Sequence, residues 1–121
     1  MFLTALKAEF TRGRVGAVLI AKLVYFDEVH GCIEVPPGFK TDFASVPGWV
    51  LLPGLVPRVG ILRDAAVIHD FIYRNHYNLT RKDADQIFLR AMKDIGVHWW
   101  RRHLAYRAVR VGGRAAWKNG S

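Results

Sequence analysis

All five prolines of this 121-residue chain lie between positions 36 and 57, and they divide the sequence into two parts with different patterns. Proline lacks the backbone N–H that helix interiors and central strands require. Residues 41–60 also carry several glycines and many apolar side chains, which predicts an irregular but ordered loop packed on the rest of the protein. The regular structure must therefore come from the residues before and after this loop.

Residues 1–40 have a β pattern. The stretches AVLIAKLVYF, which begins at Ala17, and GCIEV, which begins at Gly31, are rich in β-branched and aromatic residues. The polar DEVHG between them is typical of a turn. A hairpin or small sheet is therefore expected in this part of the chain.

Residues 61–113 have a helical pattern, in which apolar side chains recur at spacings of three and four. This pattern predicts three helices, at about 61–75, 81–95 and 98–111. Thr80 and Asp83 have the spacing of a capping box at the start of the second helix. The last residues, 114–121, are expected to be a tail.

These patterns together predict a single α+β domain with a small N-terminal β-hairpin or sheet, an ordered Pro/Gly loop and then three helices. A short turn joins the first two helices, so they are expected to pack antiparallel. Hydrophobic residues make up 51% of the chain, which is enough for one core. Cys32 is the single cysteine, so no internal disulfide is expected.

The first predicted helix contains a histidine and an aspartate side by side, in the stretch AAVIHDFIYRN. His69 and Tyr73 are four residues apart and share a helix face. Asp85 falls near the middle of the second helix, where its buried carboxylate would need hydrogen-bond partners. In such a His-Asp pair the histidine can take a proton from water. The carboxylate would fix the imidazole tautomer, and the tyrosine would hold the carboxylate in place. A lone histidine on an apolar face is more often a core residue, so a purely structural network remains the alternative.

Two further carboxylates suggest a metal site. Asp70 follows the histidine, and Asp42 lies in the stretch TDFASVP of the Pro/Gly loop. Carboxylates together with backbone carbonyls form a hard-oxygen site that suits calcium better than zinc. As an alternative, Asp42 could be a turn residue whose side chain accepts hydrogen bonds from its own backbone.

Four stretches resemble the phospholipase A₂ superfamily, and its small bacterial and fungal branch in particular. They follow the order of that family over about residues 40–113, and they are TDFASVP, HDFIYRN, RKDADQIF and LAYRAVRVGG. The chain also resembles a phage and prophage family catalogued as a domain of unknown function, whose signature is GFxTDFASVP followed by AAxxHDxxY.

The phospholipase resemblance covers the antiparallel helix pair and not the N-terminal sheet, and it implies an enzyme that hydrolyses a carboxylic ester of membrane phospholipid with calcium. By this resemblance His69 is the general base, Asp85 orients it and Tyr73 bonds the Asp85 carboxylate. The metal would be held by the Asp70 and Asp42 side chains and by the backbone carbonyl of Phe43. The resemblance also has a departure, because the disulfides that join the helices in that family have no cysteines here.

The phage resemblance implies synthesis in a host cytoplasm, with a place in the virion as a further prediction. The start of the chain has neither the order of a signal peptide nor the length of a membrane span. A non-enzymatic phage protein with a structural, tail-assembly or lysis-associated role is the competing interpretation. A metal phosphohydrolase of the His-Asp type would need further histidines on separate helices, which the sequence does not clearly supply.

The chain has a net charge of +8, and residues 98–121 contain six Arg and Lys and no acid. An anion-binding or membrane surface is predicted there, formed by Trp100, Arg101, Arg102 and Arg107. Its expected partners are an anionic phospholipid membrane or phage virion proteins. A nucleic-acid-binding module is a weaker hypothesis, because only the charge supports it.

Overall fold

The computed structural model describes residues 1–10, 17–41 and 59–119. Five short strands come first, β1 (Ala8–Phe10), β2 (Ala17–Leu19), β3 (Leu23–Asp27), β4 (Gly31–Val35) and β5 (Lys40–Thr41). The helices follow, α1 (Val59–Asn75), α2 (Arg81–Asp94), α3 (Trp99–Gly112) and α4 (Arg114–Asn119). This order confirms the predicted α+β class. The predicted ordered loop falls mostly on residues 42–58, which lie outside the described residues.

The strands form two small antiparallel sheets. One has three strands in the order β1-β2-β5, and the other is the hairpin of β3 and β4. Along β4 the side chains alternate, with Ile33 and Val35 buried and Cys32 and Glu34 exposed. This alternation gives the hairpin one face that packs on the helices and one that faces solvent.

A buried ion pair fastens the hairpin turn to α2. The Asp27 carboxylate accepts two hydrogen bonds from Arg90, from Nε at 2.7 Å and from Nη2 at 3.0 Å. It also accepts the backbone N–H groups of Val29 and His30 within the turn. Burial by itself would raise the pKa of Asp27, but these hydrogen bonds outweigh it and lower the pKa below its ordinary value.

The core lies between the sheets and the first three helices. α2 buries one stripe of its surface, formed by Ala84, Asp85, Ile87, Phe88, Ala91 and Met92. Its contacts with α1 run antiparallel, as predicted, because Tyr73 bonds Asp85 while the earlier His69 ring lies against Phe88.

Local sequence signals define both ends of α2. Thr80 and Asp83 form the predicted capping box, in which each side chain accepts the backbone N–H of the other residue. At the other end Gly96 has φ +89°, and two backbone hydrogen bonds, from Gly96 to Lys93 and from Val97 to Met92, close a Schellman motif. The helix therefore begins and ends close to the predicted positions.

The segment predicted as a tail contains a short fourth helix. In α4 the Trp117 ring stacks on the His76 ring, with centroids 3.9 Å apart, and meets the Tyr73 ring edge-on at 5.3 Å. These aromatic contacts hold the segment against the end of α1, which explains why it forms a helix and not a free tail. Among the residues that the structure describes, no helix has the length and apolar character needed to cross a bilayer.

Candidate functional site

His69, Tyr73 and Asp85 meet between α1 and α2. The His69 Nε2 atom lies 2.7 Å from Asp85 Oδ1, and the Tyr73 hydroxyl donates to the same oxygen at 2.6 Å. The side chains of His69 and Asp85 have no exposed surface. The structure thus brings together the three residues that the sequence predicted as a catalytic group, and each comes from the predicted helix.

The chemistry of the carboxylate fixes the direction of these bonds. An ionised carboxylate only accepts hydrogen bonds, so His69 must carry its proton on Nε2 when the ring is neutral. Burial would raise the pKa of Asp85, but hydrogen bonds from His69, Tyr73 and Arg110 outweigh it and lower the pKa below its ordinary value. The same burial, with the bond to Asp85, raises the pKa of Tyr73, so the tyrosine stays a neutral donor.

Two arginines complete the surroundings of Asp85, and the sequence analysis missed both. Arg110 Nη1, at the end of α3, donates to Asp85 Oδ2 at 2.8 Å, and Arg81 Nη1 lies 3.6 Å from the same oxygen. Arg81 could have been found from its spacing, because it is four residues before Asp85 on one helix. Arg110 has no comparable signal, since its position depends on how α3 packs.

Aromatic rings enclose the imidazole. The centroid of His69 lies 4.2 Å from that of Tyr73 and 4.8 Å from that of Phe88. These rings and the surrounding core exclude water from the bond between His69 and Asp85. In such surroundings a hydrogen bond between charged or polar groups is stronger than in water.

Asp70 points away from this cluster, toward the end of β5. Asp70 is buried, with 2% of its surface exposed, and its carboxylate accepts a hydrogen bond from the Thr41 hydroxyl. Arg74, one turn later on α1, places Nε 3.6 Å from the same carboxylate oxygen. Thr41 directly precedes Asp42, so Asp70 lies beside the point where the Pro/Gly loop begins.

The predicted calcium ligands are only partly described. Asp42 and Phe43 lie outside the described residues. Within the described part of the chain, no cluster of three or more His, Cys, Asp or Glu side chains could hold a metal ion. The Asp70 carboxylate and the Thr41 hydroxyl are hard-oxygen groups of the type that calcium prefers, but calcium usually takes roughly six to eight such ligands. The described donors are therefore of the type that calcium prefers but are too few to bind it by themselves.

The predicted anion surface begins at the other end of α3 from Arg110 and extends to Arg107, three residues before Arg110. Trp100 is 43% exposed, and its neighbour Trp99 is 61% exposed. The Arg101 guanidinium lies 4.9 Å from the centroid of the Trp100 ring, and Arg102 donates to the backbone carbonyl of Val97. Arg107 is exposed further along the helix.

Fold and site together define a small α+β protein in which a buried histidine–carboxylate–tyrosine cluster joins a pair of antiparallel helices. The chain belongs to the family described as protein of unknown function (DUF1353), whose model matches residues 17–109. This confirms the resemblance to a family of unknown function. No curated protein and no solved structure matches the chain significantly.

Proposed function

We propose that this protein is a phospholipase-A₂-like, calcium-dependent ester hydrolase of phage or prophage origin that acts on membrane phospholipid or a related lipid. The observation that carries the proposal is the contact of His69 Nε2 with Asp85 at 2.7 Å, with Tyr73 bonded to the same oxygen. This is the arrangement that a histidine general base requires, since the carboxylate fixes its tautomer and stabilises its protonated form.

In the proposed reaction a water molecule loses a proton to Nδ1 of His69, and its oxygen forms a bond to the ester carbonyl carbon. The imidazolium then returns the proton to the alcohol oxygen as the ester bond breaks. Asp85 stays ionised throughout and keeps the ring oriented. Calcium, held by Asp70, Asp42 and the Phe43 carbonyl, would supply a Lewis acid that stabilises the oxyanion.

The competing candidate is a non-enzymatic phage protein with a structural, tail-assembly or lysis-associated role. The observation in its favour is the complete burial of His69 and Asp85. A hydrogen-bonded cluster of this kind also holds three helices together, because Asp85 bonds groups from α1 and α3. Under this hypothesis the cluster gives the core a unique packing and performs no reaction.

Fatty-acid release from liposomes separates the two candidates. The native protein, H69Q and the control H30Q are added to phosphatidylglycerol liposomes with calcium or with a chelator. His30 lies at the tip of the β3–β4 hairpin, outside the proposed site. The hydrolase proposal expects release by the native protein and by H30Q only with calcium, and a loss of at least about 100-fold in H69Q.

Folding of each variant is checked by its cooperative unfolding in urea. Absence of release from several anionic and neutral lipids by a folded native protein would reject the hydrolase and favour the structural role. Release that persists in H69Q would show that another group acts as the base.

A further inference from the structure

The two carboxylate oxygens of Asp85 have partners from different helices. Oδ1 accepts the bonds from α1, from His69 at 2.7 Å and Tyr73 at 2.6 Å. Oδ2 faces the two arginines, with Arg110 at 2.8 Å and Arg81 at 3.6 Å. The carboxylate torsion of an aspartate is intrinsically soft, so this division must be imposed by the partners on both oxygens.

We propose that Arg110 is the positioning residue of this site. By binding Oδ2 it holds Oδ1 toward the ring nitrogen of His69, and it thereby fixes the orientation and tautomer of the histidine. A charge-assisted bond at 2.8 Å is short enough to fix the carboxylate plane, whereas the Arg81 contact at 3.6 Å is a looser ion pair.

Arg81 supports this arrangement indirectly. Its Nη1 donates to the backbone carbonyls of Val109 and Arg110, each at 3.2 Å. These carbonyls belong to the last turn of α3, and the Val109 carbonyl also accepts the backbone N–H of Gly113 at 2.9 Å. Arg81 therefore binds the backbone of the segment that carries Arg110, and Arg110 binds the carboxylate.

The consequence is that the site is built by three helices, although the recognisable motif covers two. The orientation of His69 by Arg110 does not depend on any reaction. Only the expected effect of Arg110 on the rate rests on the proposed hydrolase function. The Arg110 side chain is 32% exposed and makes its bond from the helix end, so a substitution there removes the bond with little change to the apolar core.

Nitrogen-15 NMR of the histidine side chains tests the proposal directly. The native protein should show His69 as one tautomer with the proton on Nε2. In R110Q we expect a mixture of tautomers and exchange of the Nε2 proton with water that is faster by at least about tenfold. R110K should restore the native pattern in part, because lysine keeps one charged donor without the planar fork.

The matched control is R114Q, which removes the same charge from an exposed position four residues later. It should leave the His69 signals as they are in the native protein. An unchanged His69 pattern in R110Q, or an equal change in R114Q, would overturn the proposal. If R110Q does not unfold cooperatively, R110M carries the test, since methionine keeps an apolar stem and no donor, and native-like His69 signals with unchanged proton exchange in R110M would then overturn the proposal.

Kinetics distinguish this inference from the proposed function. If the native protein hydrolyses lipid, R110Q should lower kcat by roughly 10- to 100-fold with little change in KM, because the bond orients the base and does not touch substrate. If the native protein releases no fatty acid but R110Q still alters the His69 tautomer, the hydrolase fails and the positioning role of Arg110 stands.

Discussion

At the scale of single residues, the chain keeps one carboxylate wholly buried by surrounding it with donors. Asp85 accepts hydrogen bonds from a histidine, a tyrosine and an arginine, and a second arginine lies nearby. A buried charge without such partners would cost several kcal/mol, of the order found when a buried ion pair is broken. Each donor therefore has a role in stability as well as any role in chemistry.

Substituting Tyr73 by phenylalanine should reveal this double role. Y73F removes the hydroxyl at 2.6 Å from Asp85 and leaves the ring in place. Because the bond is buried and charge-assisted, we expect the free energy of unfolding to fall by about 1–3 kcal/mol. Urea denaturation measures it, with Y77F as control, since the Tyr77 side chain is 40% exposed. Equal effects of the two substitutions would contradict this account of the cluster.

At the scale of elements, the turn between α3 and α4 is shaped by its close approach to the site. Gly113 is buried there, and a Cβ at that position would lie 2.5 Å from the Tyr73 hydroxyl oxygen and 3.1 Å from its ring. No side chain fits such a gap without moving the tyrosine. The glycine thus lets the turn pass directly over the Tyr73–Asp85 bond.

Adjacent glycines should respond in opposite ways to alanine. G113A is expected to destabilise the protein by about 1–3 kcal/mol, because the new methyl group overlaps Tyr73. G112A lies in the exposed last position of α3, where alanine favours the helix, so it should be neutral or stabilising by up to about 1 kcal/mol. Thermal unfolding of both variants compares them, and a stable G113A would mean that the turn can move away from Tyr73.

The helices and their ends also show which features of the structure can be predicted from residues that are close together in the sequence. The capping box of Thr80 and the termination at Gly96 were predictable because each signal is contained within a few residues. The contact of His69 with Asp85 was predictable because a short turn fixes how the two helices face each other. Arg110 was not predictable, because its partner depends on the angle at which α3 packs. The order of α4 was missed for the same reason, since it rests on the stacking of Trp117 on a distant histidine.

At the scale of the whole molecule, buried aspartates that accept several hydrogen bonds make the free energy of unfolding depend on pH in the acid range. Asp27 has a lowered pKa because its hydrogen bonds from Arg90 and the turn outweigh the effect of burial. The pKa of Asp85 is also lowered, by its hydrogen bonds from His69, Tyr73 and Arg110. A group whose pKa is lower in the folded state stabilises the protein above its unfolded pKa, which for aspartate is about 3.9. This stabilisation is lost as the pH falls through the folded value.

We therefore expect the free energy of unfolding to fall as the pH drops from about 5 toward 2, since the unfolded chain binds more protons over that range. Urea denaturation of the native protein and of D27N at several pH values measures the slope. D27N lacks one of the responsible groups, so its stability should depend less steeply on pH. A native stability that stays constant below pH 4, or the same slope in D27N, would contradict this assignment.

The charge of the whole molecule favours binding to an anionic membrane, which is a part of the proposed function. The net charge is +8, and the last acidic residue of the chain is Asp94. The charged side chains of α3 and α4 are therefore all basic. Exposed Trp99 and Trp100 lie beside Arg101 at the start of α3. Aromatic rings next to cations suit the boundary of an anionic bilayer, where the rings enter the headgroup region and the cations meet phosphates.

Binding to phosphatidylglycerol vesicles should therefore weaken steeply when salt is raised from about 0.05 to 0.5 M, since the Debye length shortens over that range. The triple variant R101Q/R102Q/R107Q should bind more weakly than the control K7Q/K22Q/K40Q, which removes three exposed cations outside α3. Near-surface cations are worth about 1 kcal/mol each, so a loss of roughly 100-fold is expected in the first variant only. Vesicle co-sedimentation provides the measurement. Equal losses in both variants would mean that net charge alone drives binding, and salt-dependent binding to DNA with none to vesicles would assign the surface to nucleic acid.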